Sequence, residues 1–134
     1  MGDTEGTEST EPKFGALTER LIGAAIEVHR VLGPGLLESA YEQCLVRELA
    51  LGGLAFRRQV EFPVEYKGLK LDAGFRADFV VEDALIDELK SVDMLLPIHT
   101  TQLVTYLRLS GIPTGLLINF NVRLLRNGIK RVVV

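Results

Sequence analysis

The sequence has a single cysteine, Cys44, and therefore cannot form a disulfide within the chain. Disulfides are rare in reducing compartments, so this count favours the cytoplasm. No apolar run reaches the roughly 18 residues of a membrane-spanning helix, and the N-terminus lacks the apolar stretch of a signal peptide. We therefore expect a cytoplasmic protein without a membrane segment.

The sequence also lacks a strong excess of charge. The formal net charge of −3 at pH 7 arises in residues 1–14, which hold four acids and one base, while the remaining residues carry 14 of each. The last 14 residues contain Arg123, Arg126, Lys130 and Arg131 and no acid. This local excess of bases could meet phosphates, although a dedicated DNA binder is often more basic.

The sequence does contain the helix and strand patterns of a single domain. Residues 1–14 are rich in Gly, Ser, Thr and Glu and are predicted to be a disordered tail, which leaves 15–134 as the domain. The patterns predict, in order, helices over 17–32 and 36–51, strands over 56–66, 69–71, 75–81 and 85–89, a helix over 97–109, and strands over 115–120 and 129–134, the last at an edge. This order predicts an α/β domain with a mixed central sheet flanked by helices.

The predicted hairpin brings acids into otherwise apolar strands, which is costly unless the acids bind something. A three-residue turn sets Val81 opposite Leu85 and Asp78 opposite Glu88, so that Asp78, Glu88 and Lys90 share one face. The residues expected on the other face are Ala77, Phe79, Val81, Leu85, Asp87 and Leu89. A two-residue turn would mix apolar and charged side chains, so the hydrophobic pattern favours the first register.

These groups suit metal-assisted cleavage of a phosphodiester. Two carboxylates and a backbone carbonyl can bind Mg²⁺, which keeps several waters and shares a substrate phosphate. The metal polarises the phosphoryl oxygen and lowers the pKa of a water, and Lys90 can stabilise the developing charge. The alternative is a surface hairpin with solvated charges. The apolar residues Val80 and Ile86 lie on the same face as the charges, which argues against simple exposure.

The second predicted helix adds an acid, Glu38, to the apolar stripe of Tyr41, Leu45 and Leu49, at spacings of three and four residues. An acid on a core stripe needs a partner or a metal. The alternative is an acid stabilised by the dipole at the helix N-terminus, which suits an exposed side chain better. We therefore expect Glu38 to approach the pocket of the two strand acids.

The third predicted helix carries Gln102 and Tyr106, which are four residues apart and therefore neighbours on one face. His99 lies on the same side without an assignable role. Tyr106 could equally be a core residue with a satisfied hydroxyl.

Three further polar residues lie in apolar surroundings. His29 is on the apolar stripe of the first predicted helix, which is typical of a packed core histidine. Asn119 and Asn121 stand at the end of a buried strand, where we expect them to cap the strand and the turn.

Several of these residues fall in motifs that resemble a known family. The segment Gly35-Leu-Leu-Glu38-Ser-Ala-Tyr41 resembles the signature of the GxxExxY family, which is placed in the PD-(D/E)xK nuclease superfamily. The segments RADFVV and DELK resemble its core acid and its ExK strand. Gln102-Leu-Val-Thr-Tyr106 resembles the QxxxY motif of RecB-like nucleases. The resemblance covers about 17–134 and implies a restriction-endonuclease-like core.

The resemblance also implies roles for residues of this chain. Glu38, Asp78 and Glu88 would be the metal-site acids, for Mg²⁺ or Mn²⁺. The catalytic set would be Lys90, Asp78 and Glu88. Gln102 and Tyr106 would be accessory residues that hold the lysine or contact the nucleic acid, and Tyr41 would be a further accessory or substrate-binding residue. The implied protein is a metal-dependent nuclease that hydrolyses phosphodiester bonds of nucleic acid, for which we favour DNA.

Two other functions remain open at this point, because a fold does not settle an activity. One is a non-catalytic module that keeps the nuclease fold and binds nucleic acid or protein. The other is a metal-dependent hydrolase of a phosphorylated small molecule. A domain of this size has no obvious separate recognition module, so a homodimer or a protein partner could supply one.

Overall fold

The computed structural model describes residues 15–134, in which three helices and five strands follow one another. The helices are α1 (Ala16–Leu32), α2 (Glu38–Leu51) and α3 (Pro97–Ser110), and the strands are β1 (Phe56–Tyr66), β2 (Leu69–Val81), β3 (Leu85–Lys90), β4 (Thr114–Asn119) and β5 (Ile129–Val133). A 3-10 turn over Leu125–Gly128, which the sequence patterns did not predict, leads into β5. The predicted disordered tail lies outside the described residues. None of the described helices is long and apolar enough to cross a membrane.

The five strands form one sheet in the order β1-β2-β3-β4-β5. Neighbouring strands are antiparallel except for β3 and β4, which are parallel. Parallel neighbours need a crossover connection, and α3 provides it. The predicted mixed α/β sheet flanked by helices is confirmed, and β5 lies at the edge where it was expected.

Each face of the sheet carries its own apolar core. On one face, α1 and α2 pack through Leu21, Leu45 and other buried side chains against residues such as Phe79 and Leu116. On the other face, α3 packs through Leu103 and neighbouring residues against β2, β3, β4 and β5. The sheet is therefore covered on both faces, and its strand ends are the places where polar groups can meet a ligand.

The β1–β2 hairpin differs from its predicted form. β2 is one strand of 13 residues rather than two segments. The register shifts between Phe62 and Val64, so the irregularity expected at Pro63 is present without ending the strand. Gly74 lies so close to the opposite strand that a Cβ there would overlap the carbonyl oxygen of Phe62. A glycine at this position is what lets β2 continue past the irregularity.

Ala77 was expected on the same face as Phe79, and this was wrong. Ala77 packs in the α3-side core, whereas Phe79 packs in the core under α1 and α2. Opposite this point, in β1, Gln59 has a left-handed backbone with φ of 49°. Arg58 pairs with Phe79 and Val60 pairs with Ala77, whereas Gln59 between them has no paired residue in β2. The alternation of side chains is therefore interrupted beside Asp78.

Candidate active site

The candidate site lies where β2 and β3 stop pairing with each other. The two strands pair from Val81 and Leu85 to Phe79 and Asp87, which confirms the predicted three-residue turn. Continued by one residue, this register brings Asp78 opposite Glu88.

Beyond that point, side chains replace the backbone ladder. The Asp78 N–H donates to Glu88 Oε2 at 2.9 Å, and the Leu89 N–H donates to Asp78 Oδ2 at 2.8 Å. Each carboxylate thus accepts a hydrogen bond from the strand of the other. The exchange fixes the two acids side by side at the point where the strands separate.

Burial makes the charged forms of both acids unfavourable. Glu88 is 8% exposed, and desolvation, followed by the charge of Asp78, raises its pKa to about 8. Desolvation also raises the pKa of Asp78, with further contributions from Glu42 and Glu38. Lys90 acts in the opposite direction on the pKa of both acids. The pKa of both acids stays raised despite Lys90, so further positive charge beside them would stabilise their ionised forms.

Lys90 ends β3 on a backbone that is held from several sides. Its carbonyl accepts a hydrogen bond from the Phe120 N–H at 2.9 Å. The next residue, Ser91, donates from Oγ to the Leu36 carbonyl at 2.5 Å. Asn119 accepts from the Val92 N–H at 3.1 Å and donates to the Val92 carbonyl at 2.9 Å. The expected capping role of Asn119 is thus observed, and it acts on the segment that follows the lysine.

Glu38 lies near the site but not on the core stripe that the spacing predicted. Tyr41, Leu45 and Leu49 are fully buried, whereas Glu38 is exposed as the first residue of α2. The stripe leaves the core at its N-terminal end, so the alternative of an exposed acid at a helix N-terminus describes Glu38. Its charge still reaches the pocket, because it raises the pKa of Asp78 and Glu88.

Tyr41 is an internal clamp and does not face a substrate. It is fully buried and stacks on Phe120 with ring centroids 4.5 Å apart. Its hydroxyl donates to the Gly33 carbonyl at 2.6 Å and accepts from the Leu36 N–H at 3.1 Å. Of the two expected roles, accessory or substrate-binding, the burial of Tyr41 fits the accessory one, in which it holds the segment that leads to Glu38.

Of the two expected accessory residues on α3, Tyr106 is within electrostatic reach of the acids. Desolvation and the charges of Glu88 and Asp78 raise its pKa. Its ring stacks on Phe75 with centroids 4.3 Å apart. Gln102 lies one turn earlier and is exposed, with no hydrogen bond to Lys90 among the described residues.

Both histidines have structural partners. His99 Nδ1 accepts from the Leu96 N–H at 3.0 Å and caps the start of α3. His29 is 8% exposed, and its Nε2 lies 2.7 Å from the Val122 carbonyl, as expected of a packed core histidine. Neither ring contributes to the acid pocket.

Sequence patterns missed a polar group that adjoins Asp78. Gln59 Nε2 donates to both carboxylate oxygens of Glu42, at 3.1 and 3.0 Å, and lies 3.5 Å from Asp78 Oδ1. Arg58 donates to the same Glu42 carboxylate at 3.1 and 3.2 Å. The signal that could have revealed this group is the uneven alternation of apolar residues in β1 around Gln59.

Asp87 is buried in the core under α1 and α2, as its expected face implies. It is 0% exposed, and neither carboxylate oxygen has a hydrogen-bond partner among the described residues. Burial, together with the charges of Glu88 and Asp78, raises its pKa well above the ordinary value. An unpartnered carboxyl at this depth is neutral.

The acids fit a divalent cation of the hard, oxygen-binding kind. No three acids, histidines or cysteines within 15–134 converge as a ready-made metal cage. Mg²⁺, however, is commonly bound by one or two carboxylates together with waters and substrate phosphates. Asp78 Oδ1 and Glu88 Oε1 are not used by the exchanged backbone hydrogen bonds, and the desolvated pair would be stabilised by positive charge.

Comparison with protein families matches residues 15–132 to a family described as the PD-(D/E)XK nuclease superfamily. The comparison with curated proteins gives no match. A solved structure titled "Crystal structure of SSO0001" is similar, with a TM-score of 0.40 and 20% identity, over 90% of this chain and 77% of that one. At this TM-score the likeness supports no inference about the present chain.

Proposed function

The chain belongs to the PD-(D/E)XK nuclease superfamily, and from this premise we propose that it is a metal-dependent nuclease that hydrolyses phosphodiester bonds of DNA. The proposal is carried by the exchange of hydrogen bonds between Asp78 and Glu88 where β2 and β3 separate. The finer assignment is to the GxxExxY family, which Gly35, Glu38 and Tyr41 favour. The single cysteine favours action in the cytoplasm.

Asp78 and Glu88 would hold the cation, Mg²⁺ or Mn²⁺, through the oxygens that the backbone does not use. When bound, the cation supplies positive charge that polarises a phosphoryl oxygen and acidifies water. The backbone hydrogen bonds orient both carboxylates before any ligand arrives, which lowers the cost of assembling the site. Glu38, which is exposed, would act on the site mainly through its charge.

Lys90 would stabilise the negative charge that develops on the phosphoryl group. A preorganised charge at the reacting centre lowers the barrier because it does not have to reorient during the reaction. Phe120, Ser91 and Asn119 fix the backbone at the end of β3, so the start of the lysine side chain is held in place. Tyr106 and the exposed Gln102 would contact the nucleic acid beside the pocket.

A cleavage assay with Lys90→Ala tests the proposal. Wild type and variant are incubated with labelled single-stranded and double-stranded DNA and RNA in Mg²⁺ or Mn²⁺, and products are resolved on denaturing gels. We expect Lys90→Ala to lose cleavage by roughly two orders of magnitude or more, the scale of losing one preorganised electrostatic donor. Binding of Mn²⁺, measured by calorimetry, should persist because Lys90 is not a ligand.

Lys70→Ala is the matched control, since it removes an exposed lysine of β2 eight residues before Asp78. It should cleave at the wild-type rate. If wild type cleaves none of these substrates faster than Lys90→Ala does, the nuclease proposal is wrong. The non-catalytic binding module would then be the better description.

A further inference from the structure

A groove of about 430 Å³ lies between the C-terminal end of α1 and the loop that follows β4. Its lining includes Arg30, Arg123 and Arg126, together with Gly33 and Leu124. We call it the basic groove. None of its residues belongs to the proposed cation site, so its concentration of arginines needs an explanation of its own.

The basic groove is connected through the chain to Glu38, whose charge acts on Asp78 and Glu88. Gly33 lines the groove and begins the segment that ends at Glu38, and five residues span at most about 18 Å. Tyr41 bridges Gly33 and Leu36 within this segment. A duplex carries about one charge per 3.4 Å of each strand. A strand that passes Glu38 would therefore reach the groove within about five nucleotides.

Local structure explains one of the three arginines but not the others. Arg30 forms a bidentate ion pair with Glu27, with both contacts at 2.8 Å, and lies in the last turn of α1, where the helix dipole favours a cation. Arg123 and Arg126 are exposed, and within residues 15–134 neither forms an ion pair. Their two charges are thus available to a ligand.

The loop that carries these two arginines is anchored at several points. Leu125, between them, is only 4% exposed and packs in the core. His29 contacts the Val122 carbonyl at 2.7 Å. A Cβ at Gly128 would overlap the Asn119 carbonyl oxygen, so the end of the loop lies directly against β4. Charges presented from an anchored loop lose little freedom when they bind an anion.

We propose that the basic groove binds backbone phosphates of the nucleic-acid strand whose scissile phosphate lies at Asp78 and Glu88. This inference rests on the proposed function and adds the path of the substrate to it. A pocket of acids does not attract a polyanion, whereas arginines contribute affinity and position through phosphate contacts that are independent of base sequence. The groove would therefore hold DNA of any sequence.

The test measures binding without cleavage. Fluorescence anisotropy of a labelled DNA duplex is recorded in EDTA, over a series of salt concentrations, for wild type and for the double variant Arg123→Gln/Arg126→Gln. We expect the variant to bind roughly tenfold more weakly and the salt dependence of log K to fall by about 2, the slope of two lost phosphate contacts. Both proteins should unfold at the same temperature, because both side chains are exposed.

The matched control is Arg47→Gln/Arg108→Gln, which removes the same charge from exposed positions on α2 and α3. It should keep the wild-type affinity and salt slope. Equal losses in the two double variants, no loss in either, or no binding by wild type would each overturn the proposal. Displacement of the DNA by tripolyphosphate at the same phosphate concentration would also overturn it, since a small phosphorylated ligand would then be the occupant.

This outcome is separable from that of the cleavage assay. A protein that binds DNA through Arg123 and Arg126 but never cleaves it would refute the nuclease and leave the groove assignment intact. A protein that cleaves DNA, but whose DNA binding does not depend on these arginines, would refute the groove assignment and leave the nuclease proposal intact.

Discussion

Gln59 combines a left-handed backbone with an amide directed at two carboxylates. A non-glycine residue in this conformation costs about 1–3 kcal/mol and persists only where its surroundings hold it. The surroundings here are Glu42 on α2 and Asp78 on β2. The residue therefore joins the helix that begins at Glu38 to the strand that carries the core acid.

Two substitutions separate the backbone contribution of Gln59 from that of its amide. Gln59→Gly removes the amide and also relieves the conformation with φ of 49°, whereas Gln59→Ala removes the amide alone. We expect the glycine variant to be more stable than the alanine variant by about 1 kcal/mol in urea unfolding. Both should bind Mn²⁺ several-fold more weakly than wild type, because Asp78 loses the same neighbour. Wild-type Mn²⁺ affinity in both variants would show that the amide does not position Asp78.

The segment between α1 and α2 leads into the residues that resemble the GxxExxY signature. Tyr41 holds it from inside through two hydrogen bonds, and Ser91 holds it from the end of β3. Tyr41 thus shapes the approach to Glu38, and Ser91, the residue after Lys90, ties that approach to the end of β3. These contacts give Tyr41 a structural role in this chain.

Tyr41→Phe tests this at the scale of the element. The variant keeps the stacking on Phe120 but leaves the Gly33 carbonyl and the Leu36 N–H without their partner. We expect a loss of about 1–3 kcal/mol in the free energy of unfolding, the usual cost of unpaired buried groups. Tyr66→Phe is the control, since that ring is 60% exposed. A Tyr41→Phe protein as stable as the Tyr66→Phe protein would contradict the clamp.

At the scale of the whole molecule, the buried acids make stability depend on pH. The pKa values of Asp78, Asp87 and Glu88 are all raised in the folded chain, mainly by desolvation. Between the ordinary carboxyl range and about pH 8, the folded state therefore binds more protons than the unfolded state. This contribution to stability is fully present below the pKa of the unfolded state and is lost as pH rises through the raised pKa of the folded state.

We therefore expect the unfolding temperature of the metal-free protein to fall as pH rises from about 4.5 to about 8. Glu88→Gln should flatten this dependence, because the amide does not titrate. Saturating Mn²⁺ should offset the fall, since a cation stabilises the charged carboxylates. Differential scanning fluorimetry over this range measures wild type without metal, wild type with Mn²⁺ and Glu88→Gln. An unfolding temperature that rises with pH in metal-free wild type would contradict the direction of the shifts.

The sequence was sufficient to predict those parts of the fold that follow a local periodic pattern of apolar residues. Alternation in both strands of the hairpin predicted the register of Val81 with Leu85, because a slip of one residue would expose a whole apolar face. Contacts between distant segments were not predictable in this way. The Ser91 hydroxyl meets the Leu36 carbonyl across 55 residues of sequence, and periodicity carries no trace of such a contact. The exposure of Glu38 was missed for a related reason, since spacing does not show where a stripe leaves the core.

The unpartnered carboxyl of Asp87 also changes the net charge of the folded molecule. The formal charge of −3 at pH 7 counts every acid as ionised. In the metal-free fold, burial raises the pKa of both Asp87 and Glu88 and favours their protonated forms, so the native chain is less negative than this count. Folding at neutral pH therefore takes up protons from the solvent. Its measured heat will include the ionisation heat of the buffer that donates them.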